Sequence, residues 1–267
     1  MHLIKLYIQF VFIYFKSLIE YRAYFLIDIF LQTTIFGSSM ALIWVLANRF
    51  QTVGGWNVYE LLLLYNLNMF SYGVAGFIFW APMQQLDSSI RQGTFDSMLI
   101  YPINPLIHLC FRNIAIQNVG NFILGAVVFT ICFQKLQIVW SIAKIIWFMI
   151  VILSGSLIQL CLMIMVGASA FWLQRSNGVT NITFMCIKNF LDYPLKIYDV
   201  GIQFFLTFVV PYSFVNYYPA QYFLDRSGDY LFHPLLQFAA PFVSIAFLVI
   251  TLQVWKIGLC RYESAGS

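Results

Sequence analysis

The sequence predicts an all-α, polytopic membrane protein, and three observations carry that prediction. Hydrophobic residues make up 61% of the 267-residue chain. Charged residues supply only 9%, against roughly 25% in soluble domains, so an ordinary water-facing surface is missing. Mean hydropathy is +0.83, and aromatics reach 19%, rich in the Trp and Tyr that gather at headgroup level. A spanning helix takes about 20 apolar residues, so six would use about 120 and leave the rest for loops. That leaves no room for a separate soluble enzyme domain of ~100–150 residues. Residues 1–267 read as a single transmembrane domain.

Residues 1–22 predict a helix lying in the interface. Between Lys5 and Lys16 there are only ten residues, about 15 Å of helix and half the hydrocarbon thickness. His2, Lys5, Gln9, Lys16 and Glu20 share one narrow stripe, and Leu, Ile, Phe and Tyr cover the remainder, as in amphipathic surface helices. A signal peptide is the rival, but no small-x-small cleavage site follows the apolar run. The first span covers about Tyr24 to Ala47, with Asp28 near its start. The turn NRFQTVGGWN follows, broken at Gly54-Gly55. The second span covers about Val58 to Trp80 and stops at Ala81-Pro82. After a loop come a third span near Leu109–Phe133, a turn near Lys135-Leu136-Gln137, and a fourth near Ile142–Leu173. The last span is about Leu235–Trp255, followed by KIGLCRYESAGS.

The stretch from Arg175 to Pro234 admits two readings. Lys188, Asp192, Lys196 and Asp199 fall at helical spacing with Pro194 interrupting, a ladder that a lipid-facing helix would not carry. Either 179–196 spans and 200–224 is re-entrant on the far side, or 200–218 spans and 179–196 lies on the near side. Both give six spans. With the N-terminus inside, the near side holds Lys5, Lys16, Arg22, Arg91, Arg112, Arg175, Lys256 and Arg261. The far side holds Arg49, Lys135, Lys144 and Arg226. The positive-inside rule therefore predicts cytoplasmic termini.

Catalytic and metal chemistry find little footing. Cys110, Cys132, Cys161, Cys186 and Cys260 are scattered without C-x-x-C spacing, and His2, His108 and His233 form no metal signature. No basic run with interleaved aromatics points to nucleic acid. Ser154-Gly155-Ser156 reads as small residues at a helix contact rather than a nucleophile. Asp28 and Glu60 sit near helix ends, where solvation is cheap, which weakens an ion-coupled carrier. The chain contains no G-x-x-x-x-G-K-[ST] loop and so cannot grip ATP itself. In the third span Asn113, Gln117 and Asn121 recur every fourth residue, ahead of Gly125 and beside Asn118. They are candidates for a pathway or subunit-interface stripe, or else for ordinary interhelical hydrogen bonding.

Residues 84–105 form the most informative loop. Gln84 to Gln92 can form a short helix with Asp87 and Arg91 at i, i+4, Gly93 can break it, and Pro102 and Pro105 redirect the chain. Such an element, held beside a membrane, is something a partner can push. The string IRQGTFDSMLIYPINPL resembles the coupling region of export-type (type-2) ABC-transporter permeases, and YPLKIY at 193–198, NYYPA at 216–220 and RYESAGS at 261–267 are further matches to that family. The resemblance covers essentially the whole chain and points to a branch with paired permeases and one ATPase. Tyr101 departs from it, standing where that branch favours a basic residue.

The resemblance implies an interfacial helix, six spans, a cytoplasmic coupling helix, and an extracellular re-entrant part before the sixth span. By that analogy 179–193 completes the fifth span, Tyr193-Pro194-Leu195 opens the external segment, and Tyr212, Phe214, Tyr217, Tyr218, Tyr222 and Phe223 form an outer aromatic belt. It implies ATPase coupling through Asp87, Arg91, Gly93, Thr94, Phe95 and Asp96, with Asp87 and Arg91 docking and Phe95 inserting into an ATPase groove. Two copies of a cytoplasmic ABC ATPase would carry ATP and Mg, none being held by this chain. A second related permease, or a second copy, completes the pathway among membrane lipids, in a bacterial inner membrane. The charge-poor, aromatic interior suits a lipid-like or amphipathic cargo. Opposed to this stand a non-transport membrane scaffold and, further off, a secondary carrier.

Overall fold

The computed structural model describes residues 22–50, 52–112, 119–173, 192–226 and 232–262. Apart from Arg22, the expected interfacial helix lies outside the described residues. Nine α-helices appear among them: α1 (Arg22–Phe50), α2 (Val58–Arg91), α3 (Thr94–Leu99), α4 (Pro105–Arg112), α5 (Val119–Lys135), α6 (Ile142–Ala168), α7 (Val200–Phe204), α8 (Tyr217–Phe223) and α9 (Ala240–Cys260). Extended pairing among the described residues is confined to one bridge, Val53 with Trp56, which closes the α1–α2 turn over Gly54 and Gly55. α1, α2, α6 and α9 are long and apolar enough to cross a membrane. The 17-residue α5 is a shorter apolar helix, about 26 Å long. The chain is an all-α multi-pass membrane protein.

α2 is the central post. Every residue from Leu61 to Met69 is buried, because α6, α5, α1 and the 212–223 segment surround it. Its first turn is fixed by Glu60, whose Oε2 accepts the Asn57 N–H at 2.7 Å, the reach-back half of a capping box. Among the described side chains of α1, Phe36, Met40 and Ile43 are the fully buried ones, one stripe at i, i+4, i+7. Ser141 caps α6 by accepting the Lys144 N–H at 3.2 Å. The Ser154-Gly155-Ser156 run does lie at a contact between helices: a Cβ on Gly155 would stand 2.7 Å from Ser71 Oγ of α2.

Two expectations are overturned, one about the end of a helix and one about an aromatic belt. α2 does not stop at Ala81-Pro82 but runs through Pro82 to Arg91, 34 residues in all. Proline inside a helix costs roughly 3 kcal/mol. Burial of Pro82, Met83 and Leu86 beside the end of α6 offsets it. At 1.5 Å per residue the helix is about 51 Å long, more than a ~30 Å hydrocarbon core requires. The loop element is therefore a rigid continuation of a span.

The second concerns 192–226. Phe171, just after α6, lies at the loop end of the molecule against Phe95, with ring centroids 5.7 Å apart. Ile197 lies at the opposite, far end, against Gly54. Phe171 and Ile197 thus stand at opposite ends, and 174–191, where the expected fifth span falls, lie outside the described residues. After Ile197, Val200–Val209 and Tyr212–Phe223 form a pair bent by 77°. Tyr212 reaches α6 within the body of the protein, and Arg226 is back at the far end beside Glu60. The segment enters and leaves at one end: it is re-entrant. Its aromatics do not form an outer belt. Tyr212, Phe214, Tyr217, Tyr218 and Phe223 are buried, and Tyr222 is half-buried, because the bend drives this segment between α2 and α6.

Gln159 of α6 joins these parts: its Nε2 donates to Asn68 Oδ1 at 2.8 Å, and its Oε1 accepts from the Tyr212 hydroxyl at 2.6 Å. Gln159→Leu strands two buried polar groups and is expected to cost about 1–3 kcal/mol, read as a lower melting midpoint in detergent. Tyr212→Phe alone should cost about 0.6–1 kcal/mol and nothing further in the Gln159→Leu background. A full extra loss there would refute the shared bond.

Candidate functional site

The loop end of α2 builds a compact unit from local signals. Arg91 Nη2 lies 3.0 Å from Asp87 Oδ2, one helical turn back, as the i, i+4 spacing anticipates. Asp87 is buried and Arg91 exposed. Gly93 adopts φ +68°, the left-handed conformation that glycine reaches without a Cβ penalty, and the chain turns sharply into α3. Thr94 Oγ1 donates to Ser89 O at 3.2 Å, tying α3 back onto α2. Asn104 caps α4 by accepting the Leu106 N–H at 3.0 Å.

The structure gathers all six expected loop residues here but divides them. Phe95 is fully buried beside Leu86, Met83, Met98, Ala168 and Trp255. Its ring points inward and fastens α3 to the chain's own helices, so the expected insertion into a partner's groove would require it to leave this site. Asp96 is half-buried and accepts from the Tyr262 hydroxyl at 2.7 Å. Thr94 is exposed with Arg91, and Gly93 half-buried. What the unit presents outward is an apolar tip, Leu99-Ile100-Tyr101, with Ile100 85% exposed. Beside it opens a cleft of about 320 Å³ lined by the amides and hydroxyls of Gln85, Ser88, Ser89, Gln92 and Thr94, with Pro82, Met98 and Leu109 as its apolar part.

Of the expected third-span stripe, Asn113 and Gln117 lie outside the described residues, as does Asn118. Asn121 is 2% exposed, and neither of its amide atoms finds a hydrogen-bond partner among the described residues. Gly125 contributes its carbonyl, which accepts from Asn66 Nδ2 at 2.8 Å. The interior polar contacts were therefore missed on α2 and α6. Asn66, Asn68 and Gln159 stand as isolated amides in apolar spans, which is itself a signal because such groups require partners at depth.

Glu60 is a further correction. Solvation at a helix end does not sustain it, since its side chain is 13% exposed and Arg226 Nη2 lies 2.7 Å from Oε2. Arg226 Nε donates to Oε1 at 3.3 Å, Nη2 also donates to Gly55 O at 2.7 Å, and the guanidinium lies 4.7 Å over the Trp56 ring. The far end of the re-entrant segment is clamped to the start of α2. Nearby, Lys144 Nζ lies 3.5 Å from Asp225 Oδ2.

Among the described residues no group of three His, Cys, Asp or Glu side chains stands close enough to hold a metal. A family model described as an ABC-2 family transporter protein matches residues 32–266. No curated protein and no solved structure matches the chain.

Proposed function

This chain belongs to the ABC-2 transporter family, the membrane permeases that work with an ATPase, and we propose that it is the translocating subunit of an exporter. It moves a lipid-like or amphipathic cargo outward on work delivered by two copies of a separate cytoplasmic ABC ATPase. A second, related permease or a second copy completes the pathway. The loop end faces the cytoplasm of a bacterial cell and the re-entrant segment faces outside. ATP and Mg belong to the partner.

One observation carries the reading. α2, α3 and α4 form a stiff projecting hook at one end of a chain without a phosphate loop. A chain lacking nucleotide chemistry must receive work by contact, and a helix continuous with a span transmits a push along its axis with little loss. The exposed surfaces of the hook suit a protein partner: an apolar tip for burial, a cleft of amides and hydroxyls, and Arg91 at the edge. Asp87 acts through Arg91, holding its guanidinium in place, and Phe95 acts by anchoring.

The test is co-purification with the ATPase in detergent, followed by ATP turnover, comparing the native chain with Asp87→Ala/Arg91→Ala. The double change leaves no lone buried charge, so folding should survive. The expected result is a retained ATPase in the native complex, and either its release or a several-fold fall in coupled turnover in the variant. A native chain that retains no nucleotide-binding partner under several mild conditions would overturn the exporter reading in favour of a membrane scaffold.

A further inference from the structure

We propose that the turn following α9 is a second support of the hook, with Tyr262 as a positioning residue that couples α3 directly to the last span. This rests on the coupling reading above.

α3 has six residues, too few to be stable by itself, so its placement depends on what holds it. Its two adjoining residues Phe95 and Asp96 point about 100° apart around the helix. Tyr262 touches both. Its ring meets the Phe95 ring edge-on with centroids 5.1 Å apart, and its hydroxyl donates to Asp96 Oδ1 at 2.7 Å. A grip on two sides fixes both the position of a short helix and its rotation. A bond to a carboxylate is also stronger than one between neutral groups.

Tyr262 is itself firmly placed. Arg261 N–H donates to Ile257 O at 3.2 Å and Tyr262 N–H to Leu259 O at 3.3 Å, so the turn continues the hydrogen bonding of α9. Phe171 closes the ring of contacts, 5.7 Å from Phe95 and 5.1 Å from Trp255 of α9 by centroids. A displacement of α3 therefore either carries the end of α9 with it or breaks the Tyr262–Asp96 bond. The hook has two outputs, α2 through the continuous helix and α9 through this clasp. That gives the turn a task in transport, beyond ending a helix.

The test uses the full chain in lipid nanodiscs with its co-expressed ATPase, and two readouts. Amide hydrogen exchange over 93–99 reports whether the clasp holds the hook, with or without a partner. ATP turnover per retained ATPase reports whether the hold matters. Tyr262→Phe removes one hydroxyl and keeps the ring, so folding should survive. Tyr262→Phe and Asp96→Ala should each speed exchange several-fold over 93–99, the double variant no more than the larger single. Asp96→Asn, which can still accept the hydroxyl but without the charge, should fall between native and Asp96→Ala. Turnover should fall several-fold in Tyr262→Phe while the ATPase remains bound. Unchanged exchange in Tyr262→Phe would overturn the clasp, and faster exchange with native turnover by a retained ATPase would overturn the positioning role. Absence of any ATPase from the native complex would instead count against the exporter reading, and exchange alone would then decide whether the turn holds the loop.

Discussion

Phe95→Ala is expected to cost about 3–5 kcal/mol, the range for truncating a fully buried aromatic. Its ring is wholly enclosed by residues of α2, α6, α9 and the following turn. The damage should concentrate at the hook, because Phe95 is the inward anchor of a six-residue helix. Limited proteolysis should open a new cleavage site near Gly93, and the detergent melting midpoint should fall. Phe95→Leu refills part of the volume and should recover much of the loss. If Phe95→Ala melts like the native protein with an unaltered cleavage pattern, the ring is not the anchor. The outcome separates anchoring from partner insertion: an inserted ring would change ATPase retention and leave the isolated chain's stability untouched.

Arg226→Ala acts at the other end. Breaking a buried ion pair typically costs about 3–5 kcal/mol because one charge is left uncompensated. The two side chains retain 20% and 13% exposure, which places this pair toward the lower part of that range. Along with Glu60, the substitution abandons the Gly55 carbonyl and the Trp56 ring. The re-entrant segment should loosen at 217–226, seen as a drop in melting midpoint. Arg226→Lys keeps the charge but cannot form the two-pronged contact with Glu60, so an intermediate loss is expected. Glu60→Gln/Arg226→Met should be milder than Arg226→Ala, since no lone charge remains. Equal losses in the two would show that the pair contributes packing rather than charge neutralisation.

Local features were legible in the sequence. The Asp87–Arg91 spacing became a 3.0 Å ion pair, and Gly93 took the left-handed turn its residue type permits. Proline misled, because Pro82 marks a helix end by propensity while buried packing carries the helix through it. The aromatics of 212–223 misled for a different reason. Tyr and Phe suit a bilayer interface and a protein core alike, and only the bend decided between them.

Composition by itself determined the solvent, since a chain with 9% charged residues lacks a water-facing surface, and its apolar runs of about 20 residues determined the helices, whose backbone polar groups find partners within each span. Local order along the chain likewise determined the hook's turn and the family likeness, matched over residues 32–266. Which face of each helix is inside was decided only by the tertiary structure. In water, hydrophobic periodicity separates core from surface; in lipid both are apolar, and Phe30 at 70% exposure reads the same as Phe36 at 4%. The clasp of Tyr262 on Asp96 and the clamp of Arg226 on Glu60 each join residues 166 positions apart. No local pattern announces such pairs, because what creates them is the packing that excludes both lipid and water from around them.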